Sequence, residues 1–218
     1  MAGDSIAKFT QALAGLKRQG SGLLVVGAAS QDTHLAACRR LLGTSSDEAR
    51  RRLVVLTDGV PGAAARTDDP SVRVIDRRPT TRGATATAPN TEPTGPNGPS
   101  DLVTLEREIV AAIESIEAEA DGLDPAELRV CLDSLRTLVD AHSAEEVERF
   151  LDTVLEAVRD VDGMCHVHFP VERDGEAARR FADLFDGTIE VQLPAGGARV
   201  EQRWHLRDHD VSTDWLPL

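Results

Sequence analysis

Short wholly apolar runs alternate with amphipathic stretches along most of the chain. Residues 5–18 place Ile6, Phe9, Leu13 and Leu16 on one stripe at helical spacing, with Asp4 or Ser5 to cap the helix and Gly20 to end it. Leu23-Leu24-Val25-Val26 has no polar member, the mark of a strand buried on both faces. Residues 32–42 read as a helix with Leu35, Cys38, Leu41 and Leu42 inward and Gly43 as its stop. Strands are predicted over 53–56, 72–75, 128–132 and 164–169, and helices from Asp101 onward and over 134–141, 144–160 and 176–185. Two alternating strands, 188–193 and 200–206, flank the hairpin-like turn Pro194-Ala-Gly-Gly197. This order predicts an α/β chain of one domain, with a mostly parallel central sheet and a C-terminal antiparallel edge hairpin. At 218 residues the chain is long enough to bury one sizeable core.

The pattern breaks between Pro79 and Ser100, where five prolines occur without one Leu, Ile, Val or aromatic residue. Such a stretch buries too little apolar surface to offset its ordering entropy, so a disordered insertion is expected at about 79–100. A tail at about 207–218 ends on Trp215-Leu216-Pro217-Leu218. Together with Trp204 it is the candidate partner-binding segment, the alternative being that it folds back onto the core.

The turn after the first apolar run carries the chemistry. A phosphate-binding loop needs a strand, GxxxxGK[ST] and a helix, so that backbone N–H groups wrap the phosphates, the lysine neutralises them and the hydroxyl holds Mg²⁺. Here the turn is Gly27-Ala28-Ala29-Ser30-Gln31-Asp32-Thr33-His34. Aligned on Gly27, Asp32 stands for the second glycine, Thr33 for the lysine and His34 for the hydroxyl residue. Losing a charge-assisted bond to phosphate costs about 1.5–3 kcal/mol. A carboxylate ~4 Å from a phosphate charge adds roughly 4 kcal/mol of repulsion at an effective dielectric near 20. The helix dipole returns only about 0.3–1 kcal/mol. Asp32 therefore reads as a helix N-cap. A second pattern is Arg129-Val-Cys-Leu-Asp133-Ser134-Leu135, an apolar strand ending in Asp as in a Walker B strand, where the carboxylate meets Mg²⁺ through water.

On these segments the chain resembles RecA/KaiC-like ATPases. Gly20 to Gly27 is similar to that family's lead into its phosphate loop, and Val130 to Leu135 to its Walker B strand. Glu148 to Leu155, the strand 164–169 and Phe181 to Val191 are similar to its distal half. The resemblance implies a three-layer α/β/α sandwich from which the phosphate-gripping residues are missing. The family's catalytic Glu is replaced by Thr57-Asp58-Gly59, and Asp133 is expected to serve as a structural N-cap. The function implied is a non-catalytic, pseudo-ATPase module without cofactor, acting in regulation, signalling or scaffolding through a protein partner or self-association. The first alternative is an atypical ATPase using Asp133 and Asp58 with Mg²⁺.

The second alternative is a zinc module. His166 and His168 lie two apart on a strand and so share a face, while His205 and His209 lie near the C-terminus. No Cys/His spacing matches a zinc module, so no metal site is expected. Cys38, Cys131 and Cys165 read as buried reduced thiols.

Charge narrows the setting. There are 37 acidic against 24 basic residues, a net −13, and only Lys8 and Lys17 are lysines. This excludes a basic nucleic-acid-binding stripe, and the arginine clusters 39–40, 50–52 and 77–78 read as solvated surface. An acidic, lysine-poor composition resembles that of extremely halophilic archaea. The N-terminus has no signal-peptide pattern and no apolar run spans a membrane, so a cytoplasmic protein is expected.

Overall fold

The predicted alternation builds the fold. The computed structural model describes residues 2–43, 50–58, 71–78, 99–197, 199–207 and 211–218. Helix α1 (Ala2–Arg18) leads into β1 (Ser21–Val26), α2 (Gln31–Leu41), β2 (Arg51–Leu56), β3 (Val72–Asp76) and α3 (Pro99–Ala120). Next come β4 (Leu128–Leu132), α4 (Arg136–Ala141), α5 (Ala144–Asp160), β5 (Met164–Phe169) and α6 (Glu176–Ala182). The chain closes with β6 (Gly187–Gln192), β7 (Glu201–Leu206), β8 (Val211–Ser212) and β9 (Leu216–Pro217).

The strands lie in the order β3-β2-β4-β5-β1-β6-β7-β8, with β9 also paired to β7. Every pair from β3 to β6 is parallel, and the pairs that β7 makes with β6, β8 and β9 are antiparallel. The predicted fold class is therefore correct. The reason is visible in the burial: β1, β4 and β5 are buried at every position, as strands covered on both faces must be. By contrast β6 and β7 alternate buried with half-buried residues.

Helices cover the two faces unequally. On one face α3, α4, α5 and α6 pack over Leu24, Val26, Leu53, Val55, Val130 and Val167. Ser143 and Glu146 form a reciprocal capping box at the start of α5. On the other face α1 and α2 cover Leu23, Val25, Met164, Ile189 and Trp204, and Cys38 and Leu42 of α2 reach Val54, Leu56 and Cys131. Side chains on successive residues of β5 thus enter different cores, Cys165 and Val167 one and His166 and His168 the other.

Several local expectations change. Asp4 and Ser5 lie inside α1, which already runs from Ala2. Pro99 and Ser100 open α3, two residues before the predicted start at Asp101, which lies in its first turn; residues 79–98 of the expected insertion lie outside the described residues. The triplet 50–52 is not uniformly solvated surface. Arg52 is only 8% exposed and donates to Leu42 O at 3.0 Å, Gly43 O at 3.1 Å and Ser71 Oγ at 2.8 Å, closing the C-terminal end of α2. The tail also gains two short strands that its pattern does not announce. It folds back along β7, with the Leu218 amide donating to Val200 O. Trp204 is buried against Phe9, whereas Trp215 lies under the Arg203 guanidinium, 4.7 Å from the ring centroid. Among the described residues no helix is long and apolar enough to cross a membrane.

Candidate functional site

Two arrangements meet beneath the N-terminal half of α2: the turn that follows β1, and a polar group enclosed between α2 and the sheet. The turn comes first in sequence. Ser30, not Asp32, is the N-cap of α2: its backbone is extended and its Oγ accepts from the Thr33 amide. Asp32 sits in the first helical turn, where the dipole favours a carboxylate without any capping bond. The helix begins at Gln31, one residue before the position aligned with the second glycine of a phosphate loop. Gly27 itself has φ +135°, and a Cβ there would lie 2.2 Å from Val191 O. Its amide donates to Val171 O at 2.9 Å. The glycine that matches a phosphate loop is thus required by its contact with β6.

Thr33 is buried with its hydroxyl 3.1 Å from Ser30 Oγ, and His34 turns under the loop. His34 Nε2 lies 2.9 Å from Gly27 O and Nδ1 lies 3.1 Å from Nδ1 of His168. Burial, reinforced by the neighbouring His168, lowers the His34 pKa to about 4, so this imidazole is neutral near pH 7. The tautomers follow. A carbonyl oxygen only accepts, so His34 Nε2 carries the proton and Nδ1 is its acceptor. His168 Nδ1–H then donates to it, which leaves His168 Nε2 with a lone pair. That Nε2 is buried and has no hydrogen-bond partner of normal geometry among the described residues, and neither has Nε2 of His166.

What those nitrogens face is the second arrangement. One ligand-type atom from each of Cys38, Cys131, His166 and His168 lies within 4.8 Å of all the others, and all four side chains are buried. Helix α2 supplies Cys38, one turn beyond His34, so the two share a face. Strand β4 supplies Cys131, in register with His166 of β5. The two Sγ atoms are 3.0 Å apart. Contact with Cys131, assisted by both imidazoles, holds the Cys38 thiol well below its ordinary pKa, while burial drives Cys131 upward. Cys165, buried in the other core, is pushed up to about 12 and takes no part. His205 bonds Ser212 on the antiparallel edge, and His209 lies outside the described residues.

The Walker B-like residues have other hydrogen-bond partners, although the Asp133 charge adds to the upward push on the Cys131 thiol two residues before it. Asp133 Oδ1 accepts from the Thr57 amide at 2.7 Å and lies 2.9 Å from Thr57 Oγ1. Thr57 Oγ1 also reaches Ser134 O, and Ser134 is buried. Asp133 is therefore a clasp between the ends of β4 and β2, not the helix cap expected of it; the N-cap of α4 is Leu135, which makes no side-chain capping bond. Burial raises the Asp133 pKa to about 6 despite these bonds, and the Asp58 charge adds to that effect. Asp133→Ala should cost about 1–3 kcal/mol in urea unfolding, because the Thr57 amide loses its acceptor. Asp133→Asn, which keeps an acceptor and removes the buried charge, should change stability by under ~1 kcal/mol.

Outside the turn, a cleft of about 600 Å³ is lined by Gly27 to Ser30 together with Glu172, Arg173, Asp174 and Glu190. Of its three carboxylates, Glu190 pairs with Arg203 at 2.5 Å, from just outside the lining. Arg173 is already 3.4 Å from Asp174.

Single residues in the sequence announced part of this. The His166/His168 pair is legible from strand alternation and Cys38 from the inward face of its helix, but no spacing ties the two together, and the phosphate-loop alignment gives His34 a different reading. Cys131 carries no local signal, since only sheet register sets it opposite His166. The search of curated proteins finds no match to the chain. The model of the family of unknown function DUF7504 matches residues 20–191, from the lead into β1 through most of β6, and the chain belongs to that family.

Proposed function

We propose that this protein is a non-catalytic relative of RecA/KaiC-like ATPases, a regulatory, signalling or scaffolding module that works through a protein partner or a second copy of itself. The observation that carries this reading is His34. It stands where a phosphate loop places its Mg²⁺-binding hydroxyl, and it ties up the Gly27 carbonyl from below. Asp133, bonded to Thr57, is engaged in holding strand ends together. The fold then serves as shape. Its β3 edge, which pairs only with β2 among the described strands, offers a surface for edge-to-edge association. A net charge of −13 suits a salt-rich cytoplasm, where screening relieves self-repulsion.

Thermal unfolding in molar KCl, with and without millimolar ATP–Mg²⁺, tests the proposal. The midpoint should not move. Ligand at 100 times its Kd stabilises by about 2.7 kcal/mol. For a chain of this size that is a rise of roughly 5–10 °C. Such a rise would overturn the proposal in favour of an atypical ATPase using Asp133 and Asp58.

A further inference from the structure

We propose that Cys38, Cys131, His166 and His168 form a closed, structural Cys₂His₂ site for a thiophilic divalent ion, with zinc the best match. Buried polar atoms are nearly always hydrogen-bonded, and each one left without a partner costs about 1–3 kcal/mol. Here Nε2 of His166 and Nε2 of His168 are buried without a hydrogen-bond partner of normal geometry among the described residues, and the group that acts on both imidazoles is the Cys38 thiol. Both belong to a four-residue group whose other members are two thiols in mutual contact. A shared cation satisfies all four at once.

Geometry, charge and surroundings agree with that ion. A tetrahedral zinc with ~2.3 Å Zn–S and ~2.0 Å Zn–N bonds separates its ligand atoms by about 3.3–3.8 Å. The sulfurs, 3.0 Å apart, must part by under about 1 Å, and the widest pairs, within 4.8 Å, must close by no more than about 1.5 Å. Side-chain torsions supply such shifts. Two thiolates balance Zn²⁺, so the loaded site is neutral and suits a core where the four residues are 0–5% exposed. On loading, the two thiol protons pass to solvent and both imidazoles stay neutral. Sulfur with imidazole selects zinc over magnesium or calcium. Four protein ligands leave no open position for substrate, so the role is structural.

His34 completes the arrangement as a positioning residue. It accepts the Nδ1 proton of His168 and passes its own Nε2 proton toward Gly27 O, which fixes the His168 tautomer with Nε2 free to ligate. The site would fasten α2 to β4 and β5 through residues 93 and more positions apart in sequence, and its outer shell reaches the turn after β1. That gives His34 a reason to occupy the phosphate-loop position independent of whether nucleotide binds.

The test uses the full chain, purified without chelator under reducing conditions, with metal measured by mass spectrometry. About one zinc per chain is expected. Because the site is enclosed, the protein is also unfolded and refolded with Co²⁺ alone, which should give thiolate-to-cobalt charge-transfer absorption and the visible bands of tetrahedral cobalt. Cys38→Ser and Cys131→Ser should each lose stoichiometric metal, and Cys165→Ser should keep it. His34→Leu should weaken zinc binding roughly 10–100-fold while preserving the tetrahedral cobalt spectrum, and His34→Gln, which retains one donor and one acceptor, should recover part of that loss. Folded wild-type protein that takes up neither zinc nor cobalt on refolding overturns the proposal. So does a Cys38–Cys131 disulfide in protein isolated reduced, or full metal content in both serine variants. If those variants fail to fold, the wild-type cobalt spectrum decides: thiolate charge transfer supports the site and its absence refutes it.

Discussion

Gly27→Ala should destabilise the protein by roughly 2–6 kcal/mol, enough to approach the whole stability of an ordinary domain. Two costs add. The backbone at φ +135° lies where L side chains are strained, which costs about 1–3 kcal/mol. A methyl placed 2.2 Å from Val191 O forces β1 and β6 apart or bends the turn, an overpacking cost of about 1–3 kcal/mol. The neighbour is backbone within a paired strand, so it cannot yield as a flexible side chain does. Guanidinium unfolding of the purified variant measures the loss. A useful control is Gly15→Ala in α1, where the added methyl meets nothing within 4 Å and should stabilise by about 0.5–1 kcal/mol. A Gly27→Ala variant within ~0.5 kcal/mol of wild type would mean that the turn reshapes freely, and the structural reason for retaining this glycine would fall.

The second large effect separates two adjacent arginines. Arg52→Ala should cost about 3 kcal/mol, and Arg51→Ala no more than about 1. Arg52 is buried and its guanidinium serves the carbonyls of Leu42 and Gly43, just past the end of α2, as well as Ser71. Truncation strands carbonyl oxygens that the helix end cannot satisfy by itself and removes a cation from the negative end of the dipole. Arg51 pairs with Glu127 at 3.1 Å, but its side chain is 38% exposed and water competes for both charges. Urea unfolding at two salt concentrations checks both claims, since only the Arg51 contribution should be screened. Equal losses for the two variants would contradict the burial difference on which the contrast rests.

These residues also show where one-dimensional reading stops. Wholly apolar runs such as Leu23–Val26 and Leu53–Leu56 announce strands covered on both sides, because no polar position remains to face water. The stripe Val147, Phe150, Leu151, Val154, Leu155 and Val158 announces α5 just as clearly, and all six residues are buried. Helix caps are less legible. Several residues near a helix start have suitable side chains, and backbone geometry decides among them: it selects Ser30 over Asp32 and directs Asp133 toward Thr57. The tail strands β8 and β9 are two residues each, too short to leave a period in the sequence.

The sequence by itself determined the α/β class, the antiparallel hairpin near the end and the lack of a GxxxxGK[ST] pattern after β1, because each is written in local periodicity or residue type. Strand alternation also determined that His166 and His168 share a face. The tertiary structure alone decided what that face meets. Register sets Cys131 opposite His166, and the crossing of α2 over β4 and β5 brings in Cys38 and His34. Neither contact has a sequence spacing of its own, since the partners lie on separate elements and only the packing of a helix against the sheet brings them together.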